Sequence, residues 1–163
     1  MANLKVNCGK LIQDGLPVQN RMITSNANFG IRTKPLSVVV ADDVVEIQRL
    51  VEHWLSDCGC NVMCASSGND VSRLLRSAMV DLVITDVIMP DGDGLEVIAE
   101  LKRVQPSVRV LAISGGGNHL PATDCLKFAK GLGAHAVLLK PFNRDQLLAA
   151  VNRVAGDNSL PKP

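Results

Sequence analysis

The chain has 163 residues, of which 47% are hydrophobic, so it is long enough for one ordinary domain with a real core. Aromatic residues are scarce, with no tyrosine, one tryptophan and three phenylalanines, and the core must therefore be aliphatic. A net charge of +1 argues against a broadly basic surface for nucleic acid, and no apolar run approaches the roughly 20 residues that span a bilayer.

Residues 1–35 show no sustained hydrophobic period, and we expect a flexible N-terminal extension there. An organelle-targeting segment or a docking arm is the alternative, because the segment is basic. Its only acidic residue is Asp14, against the basic residues Lys5, Lys10, Arg21, Arg32 and Lys34. Five cysteines without a secretory signal fit a reducing cytosol, so we expect a cytoplasmic protein with small buried thiols.

From residue 36 onward, short aliphatic runs alternate five times with stretches of helical periodicity. Strands are predicted at 36–41, 61–65, 81–85, 108–113 and 134–139. Helices are predicted from 45 up to Gly59, after the turn at 66–69, over 94–104, over 121–132, and in a last stretch before a polar tail at 156–163. This alternation is typical of a doubly wound α/β fold with a five-stranded parallel sheet, flavodoxin-like if the strand order is 2-1-3-4-5.

Four of the five predicted strands end at a polar side chain. Asp42 and Asp43 follow the first strand, Asp86 the third, Ser114 the fourth and Lys140 the fifth. Parallel strands present their C-terminal ends at one edge of the sheet, so these groups are expected to converge. Three carboxylates at such short distances repel one another, and a Mg²⁺ ion together with a lysine would compensate their negative charge. Asp86 alone is ambiguous, since it equally suits a turn, but within this set it suits a nucleophile toward a phosphoryl group.

Four motifs in this order give the chain a resemblance to the receiver domain of two-component response regulators. They are VVADD at 39–43, TDVIMP at 85–90 with DGLE at 93–96, AISG at 112–115, and LKPF at 139–142. Each motif stands at a predicted strand end, and the resemblance covers roughly residues 36–155. It implies a receiver domain of flavodoxin-like fold with five helices around the sheet.

The resemblance implies a role for each residue of the set. Asp86 is expected to accept a phosphoryl group from a partner histidine kinase or histidine phosphotransfer protein. Ser114 is expected to hydrogen-bond the aspartyl phosphate, and Lys140 to pair with its oxygens. The implied ligands of the cofactor, Mg²⁺ or Mn²⁺, are Asp42, Asp43, Asp86 and the backbone carbonyl of Ile88.

One further residue fits the family and two features depart from it. Pro141 resembles the proline that often follows this lysine through a cis bond. Val137 stands where the family often has an aromatic residue that couples to the serine, so the signal is expected to travel by backbone shifts instead. The interval from Ser114 to Lys140 is longer than in the family, and the extra residues lie within 116–122.

The leading hypothesis is a phosphorylation-dependent signalling switch that is not an enzyme. We expect output through protein contacts on the face of the fourth helix, fifth strand and fifth helix, with no direct nucleic-acid or membrane partner. A phosphorelay intermediate, a receiver fragment of a larger regulator, an aspartyl-phosphate phosphatase and a phosphorylation-independent binding module are the alternatives. Such phosphatases usually carry a second aspartate at the position of Ile88, which weighs against that reading.

Overall fold

A computed structural model describes residues 34–89, 94–116, 121–156 and Leu160. Most of the predicted N-terminal extension, part of the long loop after Ser114 and most of the predicted tail lie outside this range. The strands are β1 (Ser37–Ala41), β2 (Asn61–Ala65), β3 (Leu82–Asp86), β4 (Arg109–Ser114) and β5 (Ala136–Leu139). The helices are α1 (Val45–Ser56), α2 (Gly68–Ser77), α3 (Gly94–Val104), α4 (Ala122–Gly131) and α5 (Arg144–Ala155).

All strand pairs are parallel, and the strand order is β2-β1-β3-β4-β5. The predicted flavodoxin-like α/β fold is therefore confirmed. The register pairs Ala41 with Thr85, Asp86 with Ile113, and Ser114 with Leu139. The C-terminal ends of β1, β3, β4 and β5 consequently lie side by side at one edge.

The sheet separates two hydrophobic layers because successive strand residues point to opposite faces. Val38 and Val40 of β1 pack in one layer, which includes α1 and α5, while Val39 packs in the other, which includes α3 and α4. All five residues of β3 are buried, as expected for a central strand covered on both faces. β3 is therefore a rigid support for whatever stands at its end.

The tryptophan and the cysteines of the described ranges differ in how deeply they are buried. Trp54 packs edge-on against Phe142, with ring centroids 6.4 Å apart, at the margin of the layer that includes α1 and α5. Cys60 and Cys125 are buried as expected, but the prediction of a buried thiol is wrong for Cys64, which is exposed near the C-terminal end of the edge strand β2. Across the described ranges, we find no helix with the length and apolar character that crossing a bilayer requires.

β5 is two residues shorter at its start than predicted. The Ala134 N–H donates to the Ala129 carbonyl at 2.9 Å, which closes the end of α4. Gly133, with φ of +104°, lets the chain reverse there without the strain that a side chain would bring. Pairing with β4 therefore begins only after this turn.

Candidate functional site

Asp86 is the last residue of β3 and is 8% exposed. Its Oδ1 accepts a hydrogen bond from the Ile88 N–H at 3.0 Å, and its Oδ2 lies 2.5 Å from the Nζ of Lys140. The buried Thr85 hydroxyl donates to the Asp86 carbonyl at 2.9 Å. Both oxygens of the carboxylate are thus held by the protein and face the C-terminal edge of the sheet.

The loop after β1 supplies two more carboxylates, and the two differ in environment. Asp42 is 3% exposed; its Oδ1 accepts from the Val44 N–H at 2.9 Å and its Oδ2 from Lys140 at 2.7 Å. Burial raises the pKa of Asp42 above its ordinary value, although the bonds from Lys140 and Val44 oppose the rise. Asp43 is exposed, and one oxygen from each of Asp42, Asp43 and Asp86 lies within 4.8 Å of the others.

Lys140 bridges two of these carboxylates from the end of β5. Its side chain is 17% exposed, and burial by itself would lower the pKa of the ammonium group. The hydrogen bonds and charges of Asp42 and Asp86 outweigh burial and raise that pKa. The Lys140 N–H also donates to the Ser114 carbonyl at 2.9 Å, and the Lys140–Pro141 peptide bond is cis, as the resemblance implied.

Ser114 stands at the end of β4 and is fully buried, but its hydroxyl is used locally. The Gly116 N–H donates to the Ser114 Oγ at 3.1 Å. Among the described residues, no hydrogen bond links this hydroxyl to Asp86 or Lys140. The structure therefore brings Asp42, Asp43, Asp86 and Lys140 together and leaves Ser114 beside them, turned toward its own loop.

The donor set fits a hard divalent cation. Three carboxylates supply only oxygen ligands, which Mg²⁺ and Mn²⁺ prefer, and one or two carboxylates suffice for Mg²⁺ because it retains several waters. Ile88 adjoins the site through its N–H, and its side chain is 40% exposed. The edge of the sheet can thus hold a metal ion next to a fixed carboxylate oxygen and a lysine.

The sequence prediction missed one polar residue close to this site. Gln48 of α1 is 6% exposed, and its Nε2 lies 2.5 Å from the Asp42 carbonyl oxygen. A signal existed: Gln48 precedes Val51 by three positions and Leu55 by seven, so helical periodicity places all three on the buried face. Periodicity does not reveal which group accepts the hydrogen bond from the amide, here the Asp42 carbonyl oxygen.

A doubly wound parallel sheet with three carboxylates and a lysine at its C-terminal edge places the protein among flavodoxin-like α/β proteins with an acidic site. Residues 38–152 match the family model of the response regulator receiver domain, and the chain belongs to this family. It is a receiver domain of two-component signalling, a phosphorylation-dependent switch, and the phosphatase alternative is not favoured. The family is one whose members generally bind Mg²⁺ at an acidic pocket and interact with kinase or phosphotransfer partners.

Relatives and solved structures agree with this assignment. The chain is 30% identical over 125 residues to the DNA-binding transcriptional regulator NtrC of Azospirillum brasilense, covering 77% of this chain and 25% of that protein. It is 27% identical over 121 residues to the chemotaxis protein CheY of Listeria monocytogenes, covering 74% and 98%. A response regulator receiver domain protein from Clostridium thermocellum superposes with a TM-score of 0.67 at 29% identity, covering 74% and 94%. The chain spans about a quarter of the length of the transcriptional regulators it matches.

Proposed function

We propose that Asp86 is the phosphoacceptor of this receiver domain and takes its phosphoryl group from the phosphohistidine of a partner kinase or phosphotransfer protein. The observation that carries the proposal is the Asp86 carboxylate: its Oδ2 lies 2.5 Å from the Nζ of Lys140, and one of its oxygens lies within 4.8 Å of an oxygen from each of two further carboxylates. Asp42, Asp43, Asp86 and the Ile88 carbonyl would hold Mg²⁺ or Mn²⁺. When bound, the ion would neutralise the negative charge that gathers on the transferring group.

The Ile88 N–H and Lys140 would orient the reacting carboxylate and stabilise the charge of the transferred group. The Ile88 N–H fixes one oxygen of Asp86, leaving the other to attack phosphorus while the phosphorus–nitrogen bond of the donor breaks. Lys140 then pairs with phosphoryl oxygens in place of the Asp86 carboxylate. Phosphoryl transfer depends mainly on positioning and charge stabilisation, which a buried carboxylate beside a lysine supplies.

We further propose that Ser114 links the phosphorylated site to the surface. Its Oγ accepts from the Gly116 N–H, which leaves the hydroxyl hydrogen able to donate to a phosphoryl oxygen at the same time. A phosphoryl oxygen that draws Ser114 toward Asp86 would therefore move Gly116 and the start of the loop before α4 with it. Val137 is partly buried against the α3 and α4 layer and carries no aromatic ring, so this proposal relies on the backbone of the loop rather than on a ring rotation.

The proposed output surface is formed by α4, β5 and α5, and its partner is a protein. Three apolar side chains are exposed there: Phe128 (55%) and Leu132 (41%) at α4, and Leu139 (48%) at the end of β5. Apolar groups on neighbouring elements are suited to a protein partner rather than to nucleic acid. We propose that the chain itself acts in signalling and not as a turnover enzyme.

The test is phosphoryl transfer from acetyl phosphate, followed by intact mass. The wild type should gain the mass of one phosphoryl group with Mg²⁺ and none when the metal is chelated. Asp86→Asn should gain none, while the matched control Asp124→Asn, at an exposed carboxylate of α4, should gain as the wild type does. If the wild type gains no mass, the proposal is wrong. If Asp86→Asn gains as much mass as the wild type, the phosphoacceptor is another residue.

A further inference from the structure

We infer that Gln48 is a positioning residue for the metal-binding loop after β1. The inference rests on the proposed function, because its effect is on metal binding by Asp42 and Asp43. The Gln48 side chain is 6% exposed, and its Nε2 lies 2.5 Å from the Asp42 carbonyl oxygen and 3.0 Å from the Ala65 carbonyl oxygen. Two carbonyl acceptors require the NH₂ end of the amide at this place, which settles its orientation.

The amide extends the β1–β2 ladder beyond its last backbone rungs. Regular pairing ends at Ala41 with Ala65, and the Asp42 N–H still donates to the Ala65 carbonyl at 3.2 Å. Beyond that bond the chain turns into α1, whose N-cap residue Val44 offers no side-chain hydrogen bond. Gln48 reaches back from the helix and ties the Asp42 carbonyl to the end of β2. The turn is thereby held from both sides.

The two acidic residues of the loop depend on this tie to different degrees. The carboxylate of Asp42 is itself fixed by the Val44 N–H and Lys140. Asp43 is exposed, and its carboxylate has no hydrogen bond within the described part of the chain. The Asp42 carbonyl belongs to the peptide unit that leads into Asp43. By holding that unit, Gln48 sets the direction from which the Asp43 carboxylate approaches the metal.

Loss of the amide should therefore lower the affinity for the metal ion more than it lowers the rate of phosphoryl transfer. Groups that orient metal ligands typically change metal affinity by about 10- to 100-fold when they are removed. The contacts of Asp86 to Ile88 and Lys140 do not involve Gln48. At saturating Mg²⁺, the rate of phosphorylation by acetyl phosphate should stay near that of the wild type, while the Mg²⁺ concentration for half-maximal rate rises.

The experiment compares Gln48→Met, which keeps the length and removes both donors, with the control Gln105→Met. Gln105 donates to the Leu75 carbonyl, at the opposite end of the sheet. Mg²⁺ affinity is measured by calorimetry on the full chain, and amide hydrogen exchange of Asp42 and Val44 is measured without metal. Gln48→Met should bind Mg²⁺ about 10- to 100-fold more weakly and exchange faster at both amides; Gln105→Met should do neither.

A second variant keeps the test decisive if Gln48→Met does not fold. Gln48→Asn retains the amide but is one methylene shorter, so it should show the same two changes. A folded variant at position 48 with wild-type Mg²⁺ affinity and wild-type exchange overturns the inference and leaves a packing role only. A wild type that binds no Mg²⁺ overturns the proposed function together with the inference, which distinguishes the two failures.

Discussion

Lys140 pairs with two of the three carboxylates that would hold a metal ion. Its Nζ lies 2.7 Å from Asp42 Oδ2 and 2.5 Å from Asp86 Oδ2. Lys140→Met should therefore bind Mg²⁺ more tightly, by about tenfold, because a competing positive charge is removed. The same variant should accept phosphoryl from acetyl phosphate about 100-fold more slowly, because a group that stabilises the transition state is lost. Calorimetry and a phosphorylation time course measure the two effects.

The control for that variant is Lys127→Met, at an exposed lysine of α4 that pairs with Asp124 at 2.9 Å. It should leave Mg²⁺ affinity and phosphorylation rate unchanged, since exposed pairs are weak and this one is outside the site. Weaker Mg²⁺ binding in Lys140→Met would show that the lysine orders the carboxylates rather than competing for them.

His135, at the opposite end of the sheet, stands in surroundings that disfavour its protonated form. The Val110 N–H donates to its Nδ1 at 2.9 Å, so that nitrogen carries no proton. Burial, and then the charges of Lys102, Arg109 and Lys130, lower the pKa of His135. Below a pH of about 6.5 the unfolded chain therefore binds more protons than the folded one, and this contribution to stability is lost as pH falls.

His135→Asn should flatten the decline in unfolding free energy between pH 7 and pH 5, since asparagine offers an acceptor to the Val110 N–H without titrating. His53→Asn is the matched control, at a histidine whose side chain is 69% exposed. Urea unfolding at a series of pH values gives both curves. If His135→Asn declines in parallel with the wild type, His135 makes no contribution to the pH dependence.

At the residue scale, the sequence predicts which residues lie at the C-terminal edge of the sheet but not the burial or the hydrogen bonds of each side chain. Asp42, Asp43, Asp86 and Lys140 follow from polar residues at strand ends, and the structure brings them together. The difference in burial between Asp42 and Asp43 depends on packing around the loop. The orientation of the Ser114 hydroxyl likewise depends on a neighbouring backbone N–H, which no residue pattern encodes.

At the scale of elements, the junction between β3 and α3 depends on the absence of a side chain at Gly94. Its N–H donates to the Val87 carbonyl at 3.0 Å, and a Cβ there would overlap the Asp86 carbonyl oxygen. Gly94→Ala should cost about 2–3 kcal/mol of unfolding free energy and slow phosphorylation of Asp86. Urea unfolding and acetyl phosphate labelling measure the two losses.

Gly131 is the matched control for Gly94 because it is the last residue of α4 and a Cβ there would meet no atom within 4 Å. Gly131→Ala should be neutral or should stabilise the protein by up to about 1 kcal/mol, through a better helix propensity and a less flexible unfolded chain. Stability of Gly94→Ala equal to that of the wild type would mean that the β3–α3 junction relaxes to accept a methyl group.

The order of the elements was predictable because each has a strong local signal. The helix at 94–104 and the strand at 61–65 have the predicted bounds, and the other strands shift by one or two residues. The capping box that starts α5, in which the Asn143 side chain accepts from the Gln146 N–H and the Gln146 side chain accepts from the Asn143 N–H, supports that helix by a local pattern. The late start of β5 depends on the turn at Gly133, whose hydrogen bonds compete with strand pairing.

At the scale of the molecule, the strand order places the site and the sheet divides the core. Right-handed connections between parallel strands restrict the possible arrangements, so the order β2-β1-β3-β4-β5 could be predicted from the sequence. Packing between distant parts of the chain could not be predicted in this way. Leu160, in a stretch that the sequence predicts to be a polar tail, is 4% exposed and packs in the layer of α1 and α5.

Leu160 bears on where the domain ends, which the sequence predicts at residue 155. Its N–H donates to the Asn152 Oδ1 at 2.8 Å, so a helix side chain holds it in place. A chain ending at Ala155 should lose about 2 kcal/mol of unfolding free energy, the usual value for a fully buried leucine side chain. Leu160→Ala in the full chain should lose a similar amount, and a chain ending at Pro161 should be as stable as the full chain. Urea unfolding compares all four proteins, and full stability of a chain ending at Ala155 would support the predicted boundary at 155.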